Sequence, residues 1–285
     1  MPPKHIRAGR FVIDVQARPL LMAIVNLTPD SFSQDGYLRH KSSPKVYAKR
    51  AMSLVEQGAD ILDVGAQSTR PGAYTVGAKE EIRRLLPTLK ELMPQAKVPV
   101  SVDSFHLDVI HAALDLGVSI VNNVRGLSIN KKILRLLIQY DAAIVLMHMR
   151  GTPRSMQRHA RYRNVTRDVL SELKDSVDFC LDFGLKKDKI IIDPGIGFSK
   201  DAEQSLILLN HIHDFVRLGF PVLVGPSRKS FLGRTLGDMD KDRTMATAAS
   251  VALAVDRGAH IIRVHDVASM KDVMTVAQAI RKARA

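Results

Sequence analysis

Eight short apolar runs recur along the chain, at Leu20–Leu27, Asp60–Val64, Val98–Val102, Ser119–Val124, Ala143–Met147, Lys189–Ile192, Pro221–Val224 and His260–Val264. They are rich in Val, Ile and Leu and do not alternate with polar residues. That is the pattern of strands covered on both faces, which pair in parallel. Between them, longer stretches with helical spacing predict helices over Pro44–Gln57, Lys79–Met93, Leu107–Leu116, Asn130–Tyr140, Val165–Phe183, Ala202–Leu218, Asp242–Arg257 and Ala268–Lys282. Several end in a glycine stop just before the next strand, at Gly58, Gly117, Gly184 and Gly258.

Strict alternation of eight strand and helix pairs predicts an α/β protein of the (β/α)8 TIM barrel type. An open doubly wound sheet fits less well, because three pairs have no place in it and no Gly-x-Gly-x-x-Gly follows the first strand. A length of 285 residues suits one such barrel, and no linker or composition break argues for a second domain. Residues 1–19 are expected as an N-terminal segment with a short β-hairpin that plugs the barrel bottom, and residues 20–285 as the barrel. Arg10 to Val15 supplies the hairpin strand, with Ala17-Arg18-Pro19 as its turn.

In such a barrel the strand ends and the loops after them surround one mouth, where barrel enzymes carry their chemistry. Here those positions hold Asn26, Asp63, Asp103, Asn122, His148, Asp193, Lys229, Arg263 and His265. Any single one is equally well explained as a helix cap or a strand reaching water. The set as a whole mixes amides and carboxylates with a cationic arc, which capping does not explain. The loop from Asn26 to Gly36 is rich in turn residues and long enough to fold over the mouth. A second loop, Gln67 to Ala73, presents Arg70 between a hydroxyl and a proline, a setting suited to capture of phosphate or carboxylate.

Charge narrows the partners. Forty-two Lys and Arg against twenty-nine Asp and Glu give +13, which serves an anionic substrate, a polyanion or a solvated surface. The densest basic stretch, Arg150, Arg154, Arg158, Arg161, Arg163 and Arg167, has only Tyr162 interleaved, so a base-stacking platform is poorly supported and nucleic acid is not expected. Cys180 lies in an apolar helical stretch and reads as structural. No apolar run approaches the roughly 18 to 20 residues that cross a bilayer. The basic first ten residues lack the apolar core of a secretory signal, so a cytoplasmic location is expected.

Six segments, in order and spacing, carry a family resemblance: Asn26–Phe32, Ser68–Gly72, Val102-Asp103-Ser104, Asp193–Phe198, Ser227–Phe231 and Arg263–Asp266. Together they resemble the dihydropteroate synthases, folate-pathway transferases, over nearly the whole chain from Leu21 to Val276. The resemblance implies a pterin-binding barrel that joins 7,8-dihydropterin-6-ylmethyl diphosphate to 4-aminobenzoate. It implies that Asp103, Asn122, Met147, Asp193, Lys229 and Arg263 hold the pterin, with Asp103, Asp193, Lys229 and Arg263 carrying catalysis. Asn26, Arg70, Arg263 and His265 are implied at the diphosphate, with Mg2+ on Asn26 as the cofactor. Phe32, Thr69, Arg70, Pro71, Phe198 and Ser230 are implied around the aminobenzoate. An SN1-like displacement, a homodimer and sensitivity to sulfonamides follow from the same resemblance.

The chain departs from the family's pattern at four places. Ala66-Gln67 stands where Gly-Glu is usual, Asn122-Asn123 where Asn-Asp is usual, Ser199 where Gly or Ala is usual, and the first loop is one residue longer at Gln34. Two rivals share the barrel: a pterin-dependent methyltransferase, which has no use for a diphosphate site, and a non-catalytic pterin-binding paralogue. The Ser-Thr-Arg-Pro and Ser-Arg-Lys-Ser segments favour the synthase over the methyltransferase, while the paralogue, which would bind pterin or, through Arg150–Arg167, RNA, is left to a salt titration of binding.

Overall fold

The computed structural model describes residues 2–27, 43–67 and 76–283. Phe32, Thr69, Arg70 and Pro71 lie outside them. An N-terminal pair, β1 (His5–Ala8) and β2 (Phe11–Asp14), precedes eight parallel strands: β3 (Leu20–Asn26), β4 (Ile61–Gly65), β5 (Val100–Asp103), β6 (Ile120–Asn123), β7 (Ala143–Met147), β8 (Ile190–Asp193), β9 (Leu223–Val224) and β10 (Ile261–Val264). The helices between and after them are α1 (Pro44–Glu56), α2 (Ala78–Leu92), α3 (Leu107–Asp115), α4 (Lys131–Gln139), α5 (Val165–Asp182), α6 (Ala202–Asn210), α7 (Ile212–Arg217), α8 (Ser230–Thr235), α9 (Thr244–Asp256) and α10 (Val267–Lys282). The strands pair in the order β8-β7-β6-β5-β4-β3-β10-β9. A parallel bridge between Ile192 and Val222, with Ile192 N donating to Pro221 O at 2.9 Å, joins the two ends into a ring.

Period-two alternation sorts each strand's side chains between two cores. Outward residues such as Leu21, Ala23 and Val25 of β3 pack under the helices in the larger cluster. Helix α2 shows the matching stripe, burying Glu81, Leu85, Thr88, Leu89 and Leu92 on one face. Inward residues form a smaller cluster of Met22, Ile61, Ile120, Val145, Ile191, Leu223 and Ile261. Two residues further along the same strands, the inward positions turn polar: Ile61 is followed by Asp63, Ile120 by Asn122, Ile191 by Asp193 and Ile261 by Arg263. The barrel interior is therefore apolar below and polar above.

The hairpin corrects one expectation. Its strands pair His5 with Asp14 through Ala8 with Phe11, so the turn is Gly9-Arg10 and not Ala17-Arg18-Pro19. Gly9 adopts φ 55° there, and its N–H donates to Asp141 O at 2.8 Å. Residues 17–19 instead lead into β3, anchored by Asp14 Oδ1 accepting from Gln16 N and Ala17 N and by the Arg18–Asp60 ion pair at 2.5 Å. Ile6, Ala8 and Val15 pack with the lower interior cluster, so the hairpin closes the bottom as expected.

The single helix expected over Ala202–Leu218 is two. It breaks at His211, whose backbone (φ −106°, ψ 23°) leaves the helical range, while its N–H and ring Nδ1 both donate to Ile207 O, at 3.1 and 2.8 Å. Its start is fixed by a capping box between Asp201 and Gln204. The short α8 was not foreseen, because six residues are too few to display a helical period.

Candidate functional site

The upper interior layer is built around Arg263 of β10. Its Nε donates to Asp63 Oδ2 at 2.6 Å and its Nη2 to Asp103 Oδ2 at 2.9 Å, while Asn122 Nδ2 donates to the same Asp63 oxygen at 2.9 Å. Four strands thus contribute to one buried network across the barrel. Asp63 Oδ1 and Asp103 Oδ1 remain buried without a donor among the described residues. Unpaired carboxylate oxygens are costly to bury, so this pair suits a ligand that brings N–H donors. Burial raises the Asp103 carboxyl above its ordinary range, opposed by Arg263 and reinforced by Asp63 and Glu81. Glu81 of α2, itself pushed up to about 7 by burial, has His106 Nε2 at 3.9 Å.

On the opposite side, β8 ends in Asp193 and a turn built on left-handed residues: Gly195 at φ 66°, Gly197 at 80° and Ser199 at 47°. A side chain at Gly195 has no room, since its Cβ would stand 2.0 Å from His148 O. Asp193 Oδ1 accepts from Gly195 N at 2.7 Å. Lys229 donates to Ile196 O, and its Nζ lies 4.4 Å from the centre of the Phe198 ring. Burial lowers Lys229 to about 8, with Asp193 pulling it back up. Burial likewise raises Asp193 against the pull of Lys229 and the Gly195 amide. Met147, Met149, Met156 and Val124 pack with Phe105 and Phe198 in an apolar cluster beside these polar groups.

At the rim, β9 and β10 are followed by Ser227 and His265. The His265 amide donates to Ser227 Oγ at 3.3 Å, and Ser227 Oγ lies 3.0 Å from His265 Nδ1. β10 pairs with β3 from Ile261–Leu20 to Val264–Ala23, so His265 and Asn26 leave the barrel from adjacent strands. Among the described residues no three His, Cys, Asp or Glu side chains gather as a metal cage. The amide oxygen of Asn26 is a hard donor of the kind Mg2+ takes, and that ion needs few protein ligands.

The structure therefore brings Asp103, Asn122, Asp193, Lys229 and Arg263 together, with Phe198 and Met147 in the apolar cluster beside them, and sets Ser230 at the first turn of α8 directly after Lys229. Asp63, read from sequence only as a strand end, is the residue that joins Arg263 to Asn122. Its place two residues beyond a buried Ile on an inward face was the available signal. Of the departures, Asn123 Oδ1 accepts from Arg125 N at 2.9 Å and Ser199 Oγ from Arg150 N at 3.0 Å, so both are absorbed by local backbone bonds.

Residues 22–265 match the family of pterin binding enzymes. The chain belongs to the pterin-binding enzyme family. Within it, a dihydropteroate synthase of Synechocystis is 40% identical over 279 residues, spanning 98% of this chain and 96% of that protein. The crystal structure of the Yersinia pestis dihydropteroate synthase in complex with a sulfonamide drug superimposes with a TM-score of 0.89 at 33% identity, over 98% of this chain and 100% of the other. The Xanthomonas albilineans dihydropteroate synthase with 4-aminobenzoic acid gives a TM-score of 0.88 at 35% identity, over 99% of each chain. This pterin-binding enzyme is thus a transferase of the dihydropteroate synthase branch, on the barrel expected from the sequence.

Proposed function

We propose that this pterin-binding enzyme condenses 7,8-dihydropterin-6-ylmethyl diphosphate with 4-aminobenzoate, giving 7,8-dihydropteroate and diphosphate. The carrying observation is the Asp63–Arg263–Asp103 arrangement, whose two donor-less buried oxygens match the amino and ring N–H groups along a pterin edge. Asn122, Asp193 and the Lys229 ammonium complete the hydrogen-bonding set, and Met147 offers apolar contact to the ring.

Arg263, His265 and Asn26 face the diphosphate. By family resemblance Arg70 joins them at the diphosphate, and Phe32, Thr69, Arg70 and Pro71 contribute to the aminobenzoate. Asn26 would hold Mg2+, which when bound neutralises charge on the departing diphosphate. Cationic Arg263 favours the state in which the methylene carbon–oxygen bond has lengthened. Asp103 and Asp193 stabilise the positive charge left on the pterin methylene, so the displacement is SN1-like. Phe198 and Ser230 position the aniline nitrogen, a nucleophile that needs placement more than deprotonation. A sulfonamide resembling aminobenzoate would occupy the same place. Exposed Met245 and Leu253 on α9 and Val276 and Ile280 on α10 support the expected homodimer, which sedimentation will read.

The test is direct. Purified protein with Mg2+ and both substrates is expected to release diphosphate and form dihydropteroate, and Asp193→Ala is expected to suppress this while the circular dichroism spectrum stays native. Wild-type protein that binds a dihydropterin and forms no dihydropteroate overturns the proposal.

A further inference from the structure

Behind the Asp193–Ser199 turn lies a buried group that the proposed chemistry does not use. Lys200, 2% exposed, places its Nζ 2.9 Å from Phe198 O, 3.1 Å from Gly195 O, 3.3 Å from His148 O and 2.9 Å from His148 Nδ1. Four acceptors face this nitrogen, matching the three N–H bonds of an ammonium, although burial pulls Lys200 well below its ordinary value with Asp193 opposing; charged or neutral, the nitrogen donates to these acceptors. Because Nδ1 faces Lys200, the His148 proton sits on Nε2, which donates to Glu172 Oε2 at 3.0 Å. Arg150 holds Glu172 in turn, its Nε donating to Oε1 at 3.0 Å.

The turn that Lys200 grips is the one on which the pterin side of the site depends. Left-handed Gly195, Gly197 and Ser199 fold the segment so that the carbonyls of Gly195, Ile196, Phe198 and Ser199 meet donors from the surrounding protein. Lys200 serves Gly195 and Phe198, Tyr162 Oη serves Ser199 at 3.0 Å, and Lys229 serves Ile196. Without Lys200, Phe198 O loses the donor described for it, and Gly195 O keeps only the Phe198 N–H at 3.0 Å; the two carbonyls lie one residue before and two residues after Ile196, where Lys229 is anchored. The lysine also ties the turn to the end of β7 through His148 O, where Gly195 passes with no space for a side chain.

We propose that Lys200, steadied by His148 and Glu172, is a positioning residue that sets the Asp193–Ser199 turn and through it Lys229 and Phe198. The assignment rests on the proposed reaction for its kinetic part, while its structural part is independent of turnover.

The experiment compares wild type with Lys200→Met by hydrogen exchange over residues 194–200, by affinity for 7,8-dihydropterin, and by steady-state kinetics. The expected result is faster exchange confined to that peptide, a rise in the KM for 4-aminobenzoate together with a fall in kcat of roughly ten- to a hundredfold, and native circular dichroism; a misplacement of about 1 Å is enough for such a loss. Glu172→Gln, on a partly exposed residue, is expected to shift the same readouts in the same direction by less. A variant with wild-type exchange in 194–200, or with loosened exchange and unchanged kinetics, overturns the assignment. So does exchange that rises evenly across the barrel, which marks a merely structural role. If Lys200→Met does not fold, Glu172→Gln decides alone, and unchanged exchange there overturns it. Failure of the proposed reaction is distinguishable: wild-type protein then forms no dihydropteroate, and exchange and pterin affinity still decide the part played by Lys200.

Discussion

Removing the guanidinium from Arg263 is the sharpest perturbation of the upper barrel layer. In Arg263→Met, Asp103 Oδ2 loses its only described donor, and Asp63 Oδ2 keeps Asn122 alone. Each carboxylate already carries a second buried oxygen without a donor. Two anions are then left in a space from which the compensating charge has gone, and breaking a buried pair of this kind costs about 3–5 kcal/mol. At roughly 2–4 °C per kcal/mol for a domain of this size, the melting temperature falls by around 10 °C. The sign with pH is fixed. The Asp103 carboxyl has a folded pKa raised above its unfolded one, so its penalty is full above the raised value and fades as pH falls toward the unfolded one, about 4. Urea unfolding of both proteins at pH 7.5 and pH 5 checks this. A variant within 1 kcal/mol of wild type at pH 7.5, or a deficit that does not shrink at pH 5, refutes the reasoning about the network; the 1 kcal/mol limit is on the order of an ordinary surface pair.

Three further outcomes are expected. Lys229, held at about 8 by burial, acts as an ammonium, so kcat/KM for the pterin diphosphate falls as pH rises through about 8; Lys229→Met removes this alkaline limb along with most of the activity. His148 is kept neutral by burial, its pKa lowered from 6.5 to about 4, so stability is lost as pH falls from 6.5 through 4 with a slope near 1.4 kcal/mol per unit for one proton, and His148→Gln flattens that portion of a pH series of urea midpoints. Asn26→Ala raises the Mg2+ concentration needed for half-maximal turnover and leaves the calorimetric affinity for a dihydropterin lacking diphosphate unchanged.

The sequence pattern carried the barrel because parallel strands covered on both faces need continuous apolar runs, and all eight runs of this kind became strands. What it could not carry were features decided by single side chains against the backbone. The break at His211 lies in the backbone angles of one residue, whose ring bonds locally to Ile207 O, and the hairpin turn depends on β2 pairing backward to β1 instead of forward. The rim residues were legible one strand at a time, yet their partnerships were not. Asp63 and Arg263 are separated by two hundred positions, and only ring closure shows that one grips the other. Lys200 carries no sequence signal, because its burial follows only once the turn wraps around it.

The two storeys of the barrel interior leave durability and reactivity on separate floors. Below, hydrocarbon from Met22 to Ile261 holds the staves together and touches no reacting atom; above, a mesh of charges meets the ligand and adds little hydrocarbon contact. Refilling the basement with other aliphatic side chains should therefore tune heat resistance at constant chemistry, while the attic can be rewired for a different heterocycle without the cylinder coming apart.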